Sequence, residues 1–414
     1  MVNKAIFKKL QKKIEEYRPQ MIAFQKEITR IKAMSPASGG EGEWDKTIYI
    51  KEFLTKKGLT DIVQIDAPDP QAKNQKRPNL IVRMPGKSAK RNIWIMAHTD
   101  VVPEGDLKKW DTDPFEVIEK DGKLYGRGTE DNQQSLTSAI FTTLAFHELH
   151  LQPAYNLNLI IVADEETGSK YGISYILKNK PDLLKKEDII IVPDAGLPDG
   201  SQIEVAEKGI MWMRFITKGK QCHASTPDMG INAFRAASHL VVRLEKLKKK
   251  FNIKNKVFEP PKSTFEPTKK EANVPNVNTI PGEDIFYLDC RILPEYSVKE
   301  VMEEIRHICD TVEKDFEVKV EIDTTQREDA APATPIDSPV VKKLTAAIKA
   351  IYKIKARPMG IGGGTVAAIF RRAGLHVAAW SKIDDVCHQP NEYCIIDNMV
   401  NDSKVFAHIC LQDD

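Results

Sequence analysis

Short apolar runs and helical patterns alternate over residues 79–194, and that rhythm constrains the fold more than any other feature of the chain. "NLIVRM" (79–84), "NIWIMA" (92–97), "NLNLIIVAD" (156–164) and "DIIIVPD" (188–194) read as strands. "SLTSAIFTTLAFHELH" (135–150) and "YGISYILKNKPDLL" (171–184) carry helical periodicity. Strands that are apolar almost without interruption are those buried on both faces, as in parallel sheets covered by helices. The rhythm resumes at the end, with helical patterns at 338–352 and 364–374 and the strand "LHVAAW" at 375–380. These segments predict an α/β fold, a mostly parallel sheet with flanking helices.

The middle of the chain breaks the pattern. From about Val205 it reads strand ("IMWMRFITKG", 210–219), one long helix (232–250) and a long stretch containing Pro and Asn. Strand (284–293), helix (297–316) and strand (317–323) follow. This is an α+β unit inserted into α/β sequence, so residues 1–204 and 327–414 are expected to form one domain around an inserted domain at 205–326. The segment "REDAAPATPID" (327–337) has the composition of a return linker. A chain of 414 residues has room for two domains.

Charge excludes some functions. The 61 basic and 59 acidic side chains leave a net charge of +2, with no whole-chain attraction to nucleic acid or to an anionic membrane. No window approaches the ~18 apolar residues of a membrane span. The N-terminal "MVNKAIFKKLQKKIEEYRPQ" has the spacing of an amphipathic helix and no apolar signal core. None of the six cysteines forms a CxxC pair, which fits a reduced, cytoplasmic protein.

Ligand-type side chains follow the strands. His98 and Asp100 follow "NIWIMA"; Asp164, Glu165 and Glu166 lie at and after the end of "NLNLIIVAD"; Asp194 ends "DIIIVPD"; His388 lies shortly after "LHVAAW"; Asp131 precedes a helix. Each alone has an ordinary structural explanation, such as a solvated turn or a helix cap. Together they belong at the carboxyl ends of the strands, where open α/β sheets bind ligands. Two histidines with several carboxylates suit a divalent cation, zinc being the commonest. Residues i and i+2 of an extended segment point the same way, so Asp100 is expected behind His98, accepting its second ring N–H. Adjacent Glu165 and Glu166 diverge, so one can ligate while the other serves as general base.

"HTDVVP", "WDTDPFE…DGKLYGRGTED", "ADEETGS", "HASTPDMGINA" and "HQPNEY" together resemble the dinuclear zinc amidohydrolase and exopeptidase family. That family includes acetylornithine deacetylase, succinyl-diaminopimelate desuccinylase, carboxypeptidase G-type enzymes, carnosinase-like dipeptidases and aminoacylase. The resemblance implies two divalent ions, zinc with cobalt or manganese as alternatives. It implies His98 and Asp194 on one ion, Glu166 and His388 on the other, and Asp131 bridging them. Asp100 would orient His98, and Glu165 would be the general base. In the inserted domain, a lid or dimerisation domain, His223 resembles an oxyanion-stabilising histidine. Asn278, Arg291, Gly363 and Gly364 resemble substrate contacts. The loop "GIGGGT" (360–365) lacks the Lys of a phosphate-binding loop and is not read as following a strand into a helix start.

Two departures stand out. Asn132-Gln133-Gln134 replaces the Asp-Lys-Gly common after the bridging Asp, and Val366-Ala367 replaces the Ser-Asp typical of desuccinylases after "GGGT". The expected substrate is a small N-acyl amino acid, or alternatively a dipeptide or carboxypeptidase substrate. A homodimer is expected through the inserted domain, with "GIMWMRFITKG" as a candidate edge strand.

Overall fold

The computed structural model describes residues 2–413. Ala206–Ala333 and Met359–Gly364 form one unit, and the rest of the described chain forms another.

One sheet has eight strands, in the order Ile62–Pro68, Lys76–Met84, Tyr155–Val162, Ser88–His98, Ile189–Gly196, Val377–Ser381, Gln202–Glu207 and Arg357–Ile361, the first six lying wholly in the larger unit. The middle four, Tyr155–Val162 to Val377–Ser381, run parallel. Their Ile- and Val-rich residues are buried throughout, because helices cover both faces. Antiparallel partners flank them: Lys76–Met84 pairs with Tyr155–Val162, and Gln202–Glu207 with Val377–Ser381. The sheet is thus parallel in its centre and antiparallel toward its edges.

Helix Ser135–Glu148 is buried from Ser135 to Phe146, and its hydroxyls serve its neighbour. Ser138 Oγ and Thr142 Oγ1 donate to the carbonyls of Met399 and Ser403 on helix Ile396–Cys410. The N-terminal segment forms the amphipathic helix expected of it, Lys4–Glu16, and a second helix, Arg18–Arg30, follows. Pro19 sits in the first turn of the second, where its missing N–H costs nothing. No helix among the described residues is long and apolar enough to cross a membrane.

The smaller unit is an antiparallel sheet in the order Thr264–Lys270, Glu283–Ile292, Gly209–Lys218, Lys319–Glu328, with helices Ala233–Leu244 and Val298–Phe316 on one face. Met211, Met213 and Phe215 alternate inward along the Gly209–Lys218 strand, as period two requires. Phe215 stacks on Phe286 with ring centroids 4.7 Å apart. Gly209–Lys218 is therefore a central strand, paired on both sides, and cannot be the edge strand expected of "GIMWMRFITKG". The stretch before Glu283 contributes an edge strand, Thr264–Lys270, despite Pro267; the register shifts just past it. The helix expected over 232–250 is interrupted at Glu245, whose N–H bonds Val242 three residues back, and a short helix, Lys246–Lys250, follows.

Candidate metal centre

Strand register brings the first ligands level. His98 pairs with Val162, so the residues just past Val162 emerge beside it. Ile95 pairs with Ile191, and His98 and Asp194 each lie three residues further along those two strands. Asp131 reaches the same edge from the turn Thr129–Gln134, whose Asp131–Asn132 peptide is cis. His388 arrives from the loop after Val377–Ser381.

Asp131 stands between the two histidines. Its Oδ1 lies 3.0 Å from His98 Nε2, and its Oδ2 lies 3.3 Å from His388 Nε2. Each histidine has a second carboxylate: Asp194 Oδ1 is 3.5 Å from His98 Nε2, and Glu166 Oε2 is 3.0 Å from His388 Nε2. Two candidate ligand sets result, His98–Asp131–Asp194 and Asp131–Glu166–His388, each with donor atoms within 4.8 Å of one another. Glu166 Oε1 is buried without a hydrogen-bond partner, a costly state for a carboxylate oxygen unless a cation meets it. Mixed imidazole and carboxylate donors fit a divalent transition-metal ion.

Asp100 sits behind His98, but with a different division of contacts from the one expected. His98 Nδ1 lies 3.0 Å from the Asp100 backbone carbonyl and 3.4 Å from its carboxylate. That carboxylate instead accepts the backbone N–H groups of Glu165 at 3.1 Å and Glu166 at 3.0 Å. One residue thus fixes both a ring and the two-glutamate turn. The Glu165 carboxylate takes part in no hydrogen bond or ion pair among the described residues.

Burial dominates the electrostatics. It raises Glu165, with the charges of Asp194 and Asp131 adding to the effect. It raises Glu166 and Asp194 as well, against the pull of their histidine partners. Burial lowers the His98 imidazole, but hydrogen bonds to Asp100, Asp131 and Asp194 outweigh it and hold the ring well above its ordinary value. Hydrogen bonds to Asp131 and Glu166 push His388 up to about 10. The crowded acids thus draw positive charge to this edge of the sheet.

Several supporting residues are not evident from the sequence. Asn132 donates its side-chain amide to Asp194 Oδ1 at 2.6 Å and to the Pro193 carbonyl at 2.9 Å, so the departure after Asp131 supplies a ligand-orienting contact. Arg77 is buried among Glu43, Asp69 and Asp164, with Nε 2.6 Å from Glu43 Oε2, Nη2 also on Glu43 Oε1, and contacts at 3.3 Å to Asp69 and Asp164. Asp164 has φ 64°, a left-handed backbone that this network holds, and it starts the turn carrying Glu165 and Glu166. Arg77→Met should cost about 3–5 kcal/mol, because three buried carboxylates lose their counter-charge. Chemical denaturation tests this; a midpoint unchanged from wild type would show that the network contributes little. Lys46 is buried nearby: burial pulls its ammonium down to about 8, while Asp100, Glu43 and Glu392 push it back up.

In the smaller unit, His223 and Asn278 lie on neighbouring segments, Ala224 N–H donating to the Asn278 carbonyl at 2.9 Å. His223 is exposed, and its Nδ1 lies 2.7 Å from Ser225 Oγ. Arg291 forks onto Asp289, Nε to Oδ1 at 2.7 Å and Nη2 to Oδ2 at 3.0 Å, and donates Nη1 to the Gly362 carbonyl at 2.9 Å. Arg291 and the glycine loop therefore do meet. A Cβ on Gly363 or Gly364 would touch nothing within 4 Å, so protein packing does not demand glycine there. At Gly360 it would strike the Phe258 ring at 2.3 Å. A strand, Arg357–Ile361, does lead into the loop, contrary to the reading from sequence; the Lys of a phosphate-binding loop is still missing.

A cavity of about 580 Å³ opens at the other end of the strands, beside Arg83, Asn92 and Asn158. The candidate ligands gather at the strands' carboxyl ends, where the parallel topology directs them.

Residues 94–412 match the model of peptidase family M20/M25/M40. An uncharacterized metallohydrolase of Methanococcus maripaludis is 39% identical over 411 residues, covering 94% of this chain and 98% of that protein. A succinyl-diaminopimelate desuccinylase of Polynucleobacter necessarius is 26% identical over 326 residues, covering 78% and 82%. Among solved structures, human carnosine dipeptidase 1 aligns with a TM-score of 0.72 at 20% identity, over 99% of each chain. Family match and site agree: the chain belongs to peptidase family M20/M25/M40 and is a metal-dependent hydrolase of amide or peptide bonds.

Proposed function

We propose that the larger unit binds two divalent ions, zinc fitting best, and that the protein removes the acyl group from an N-acyl amino acid, as acetylornithine deacetylases and succinyl-diaminopimelate desuccinylases do. The observation that carries the two-ion reading is the Asp131 carboxylate, one oxygen toward His98 and the other toward His388. His98, Asp131 and Asp194 would hold one ion; Asp131, Glu166 and His388 would hold the other. Bound divalent ions acidify water and polarise a carbonyl oxygen. Cobalt or manganese suit the same donors.

The chain's own residues supply the proton transfers. Glu165, with no competing partner, accepts a proton from the attacking water as the new C–O bond forms. It returns that proton to the leaving nitrogen as the C–N bond breaks. Asp100 keeps Glu165 and Glu166 in their separate directions by holding both backbone N–H groups. His223 and Asn278 are assigned to the carbonyl oxygen, and Arg291 with Gly363 and Gly364 to the substrate carboxylate. Three contacts engage Arg291, and a guanidinium has about five N–H donors, so donors remain for a ligand.

A peptidase reading has its own support. Val366 and Ala367, where desuccinylases typically carry Ser-Asp, are buried in the hydrophobic cluster of the larger unit and offer no polar side chain. Steady-state turnover of metal-loaded protein on acetylornithine, succinyl-diaminopimelate, other N-acyl amino acids and dipeptides separates the two. Faster turnover of an N-acyl amino acid is expected. A preference for dipeptides would move the assignment to peptidase, and no turnover of any amide would sink the hydrolytic reading.

A homodimer through the smaller unit is part of this proposal. Phe234 and Val242 lie about two turns apart on helix Ala233–Leu244 and are 47% and 69% exposed, an apolar stripe that a second copy would cover. Light scattering should give a dimer for wild type and a monomer for the double variant Phe234→Glu, Val242→Glu. A monomeric wild type would contradict it.

A further inference from the structure

Two buried glutamates lock the turn carrying Asp131 and the loop carrying His388 to each other. Glu392, four residues past His388, faces the turn. Its Oε1 accepts Glu130 N–H at 3.0 Å and Asp131 N–H at 3.1 Å; its Oε2 accepts Gly128 N–H at 3.0 Å and Arg127 Nη1 at 2.7 Å. Glu130, the residue before Asp131, faces the other way. Its Oε1 accepts Asp384 N–H and its Oε2 accepts Val386 N–H, both at 2.7 Å. Glu130 and Glu392 are only 3% and 1% exposed. Each loop thus sends one carboxylate across to hold the other's backbone, and both carboxylates accept through both oxygens.

The two halves of the clasp have different targets. Glu392 fixes the backbone of Asp131, which belongs to both ligand sets. Glu130 fixes residues 384–386, which lead only to His388. That loop lies outside any helix or strand. It also holds Asp385 at φ 59° and His388 at φ 61°, left-handed conformations that are unfavourable for residues with a Cβ. Such backbone persists only where its surroundings over-determine it. Tyr393 adds one restraint, its Oη donating to Asp384 Oδ2 at 2.8 Å. The Glu130 carboxylate supplies two more, one through each oxygen.

We propose that Glu130 is a positioning residue for one ion of the pair: by clasping residues 384–386 it sets His388 against Asp131 and Glu166, and it tunes the affinity of that ion alone. This rests on the two-ion reading above. Neither the distances among ligands nor the ligands' identities require a glutamate at this place; its burial and paired acceptor geometry do.

The test is zinc affinity, measured by competition with a chromophoric chelator, for wild type, Glu130→Gln and Glu130→Ala. His388→Ala serves as the reference that retains only the His98–Asp131–Asp194 set. Glu130→Ala should weaken the ion bound by His388 by about 10–100-fold and leave the other ion at the affinity seen in the reference. Glu130→Gln should fall between, because an amide oxygen accepts one of the two N–H groups while its NH2 opposes the other. The Gln variant is nearly isosteric and keeps the test open if the Ala variant does not fold. Two ions at wild-type affinity in the Gln and Ala variants would overturn the proposal. Equal weakening of both ions, with a lower melting temperature of the metal-free protein, would overturn it too, since that marks a general structural role. A wild-type chain that takes up no zinc would overturn the two-ion reading and the clasp's role with it.

Discussion

Glu165→Gln should lower kcat by about 10²–10⁴-fold while the protein keeps its full complement of metal. The physical basis is separation of roles within one turn. Glu166 has one oxygen on His388 and another that is buried and unpartnered, as a ligand would. Glu165 points its carboxylate at no protein partner, and Asp100 holds its backbone rather than its side chain. Glutamine keeps the size and can accept a hydrogen bond, but cannot take up a proton at neutral pH. KM should change far less than kcat, because the lost interaction forms during the proton transfers. A variant with wild-type kcat, or one that loses metal along with activity, would show that Glu165 is not the base.

Removing ligands should have a second, graded effect. His388→Ala empties one ligand set, so the protein should bind about one ion per chain and lose its activity. Asp131→Ala removes the carboxylate common to both sets and should weaken both ions at once. Elemental analysis after gel filtration reads both outcomes. Near-wild-type turnover and two-ion content in His388→Ala would contradict the assignment, as would unchanged metal content in Asp131→Ala.

The grouping of the candidate ligands was legible in the sequence because parallel topology places strand ends in predictable positions. His98, Glu166 and Asp194 each follow a continuous apolar run, and strand register alone brings His98 and Asp194 level. Strands with mixed composition were not legible. Ile62–Pro68 is only partly buried, and Gln202–Glu207 carries Glu204, a buried acid paired with Arg371 at 2.6 Å. That partner lies 167 positions away, beyond any local pattern. The same distance hid the supports of the site. Arg77 answers Glu43 and Asp164, and Glu130 answers Asp384 and Val386, through contacts with no spacing rule in the chain. The double role of Asp100 was half visible: the i, i+2 relation predicts its place behind His98, but not that its carboxylate would serve the Glu165–Glu166 turn. Within the smaller unit, "IMWMRFITKG" alternates clearly enough to be a strand, yet only the pairing of both its sides shows that it is central.

Anomalous diffraction at the zinc edge from crystals of the metal-loaded protein tests the central claim most directly. Two peaks should flank the Asp131 carboxylate, one shared with His98 and Asp194, the other with Glu166 and His388. A single peak, or zinc bound away from Asp131, would contradict it.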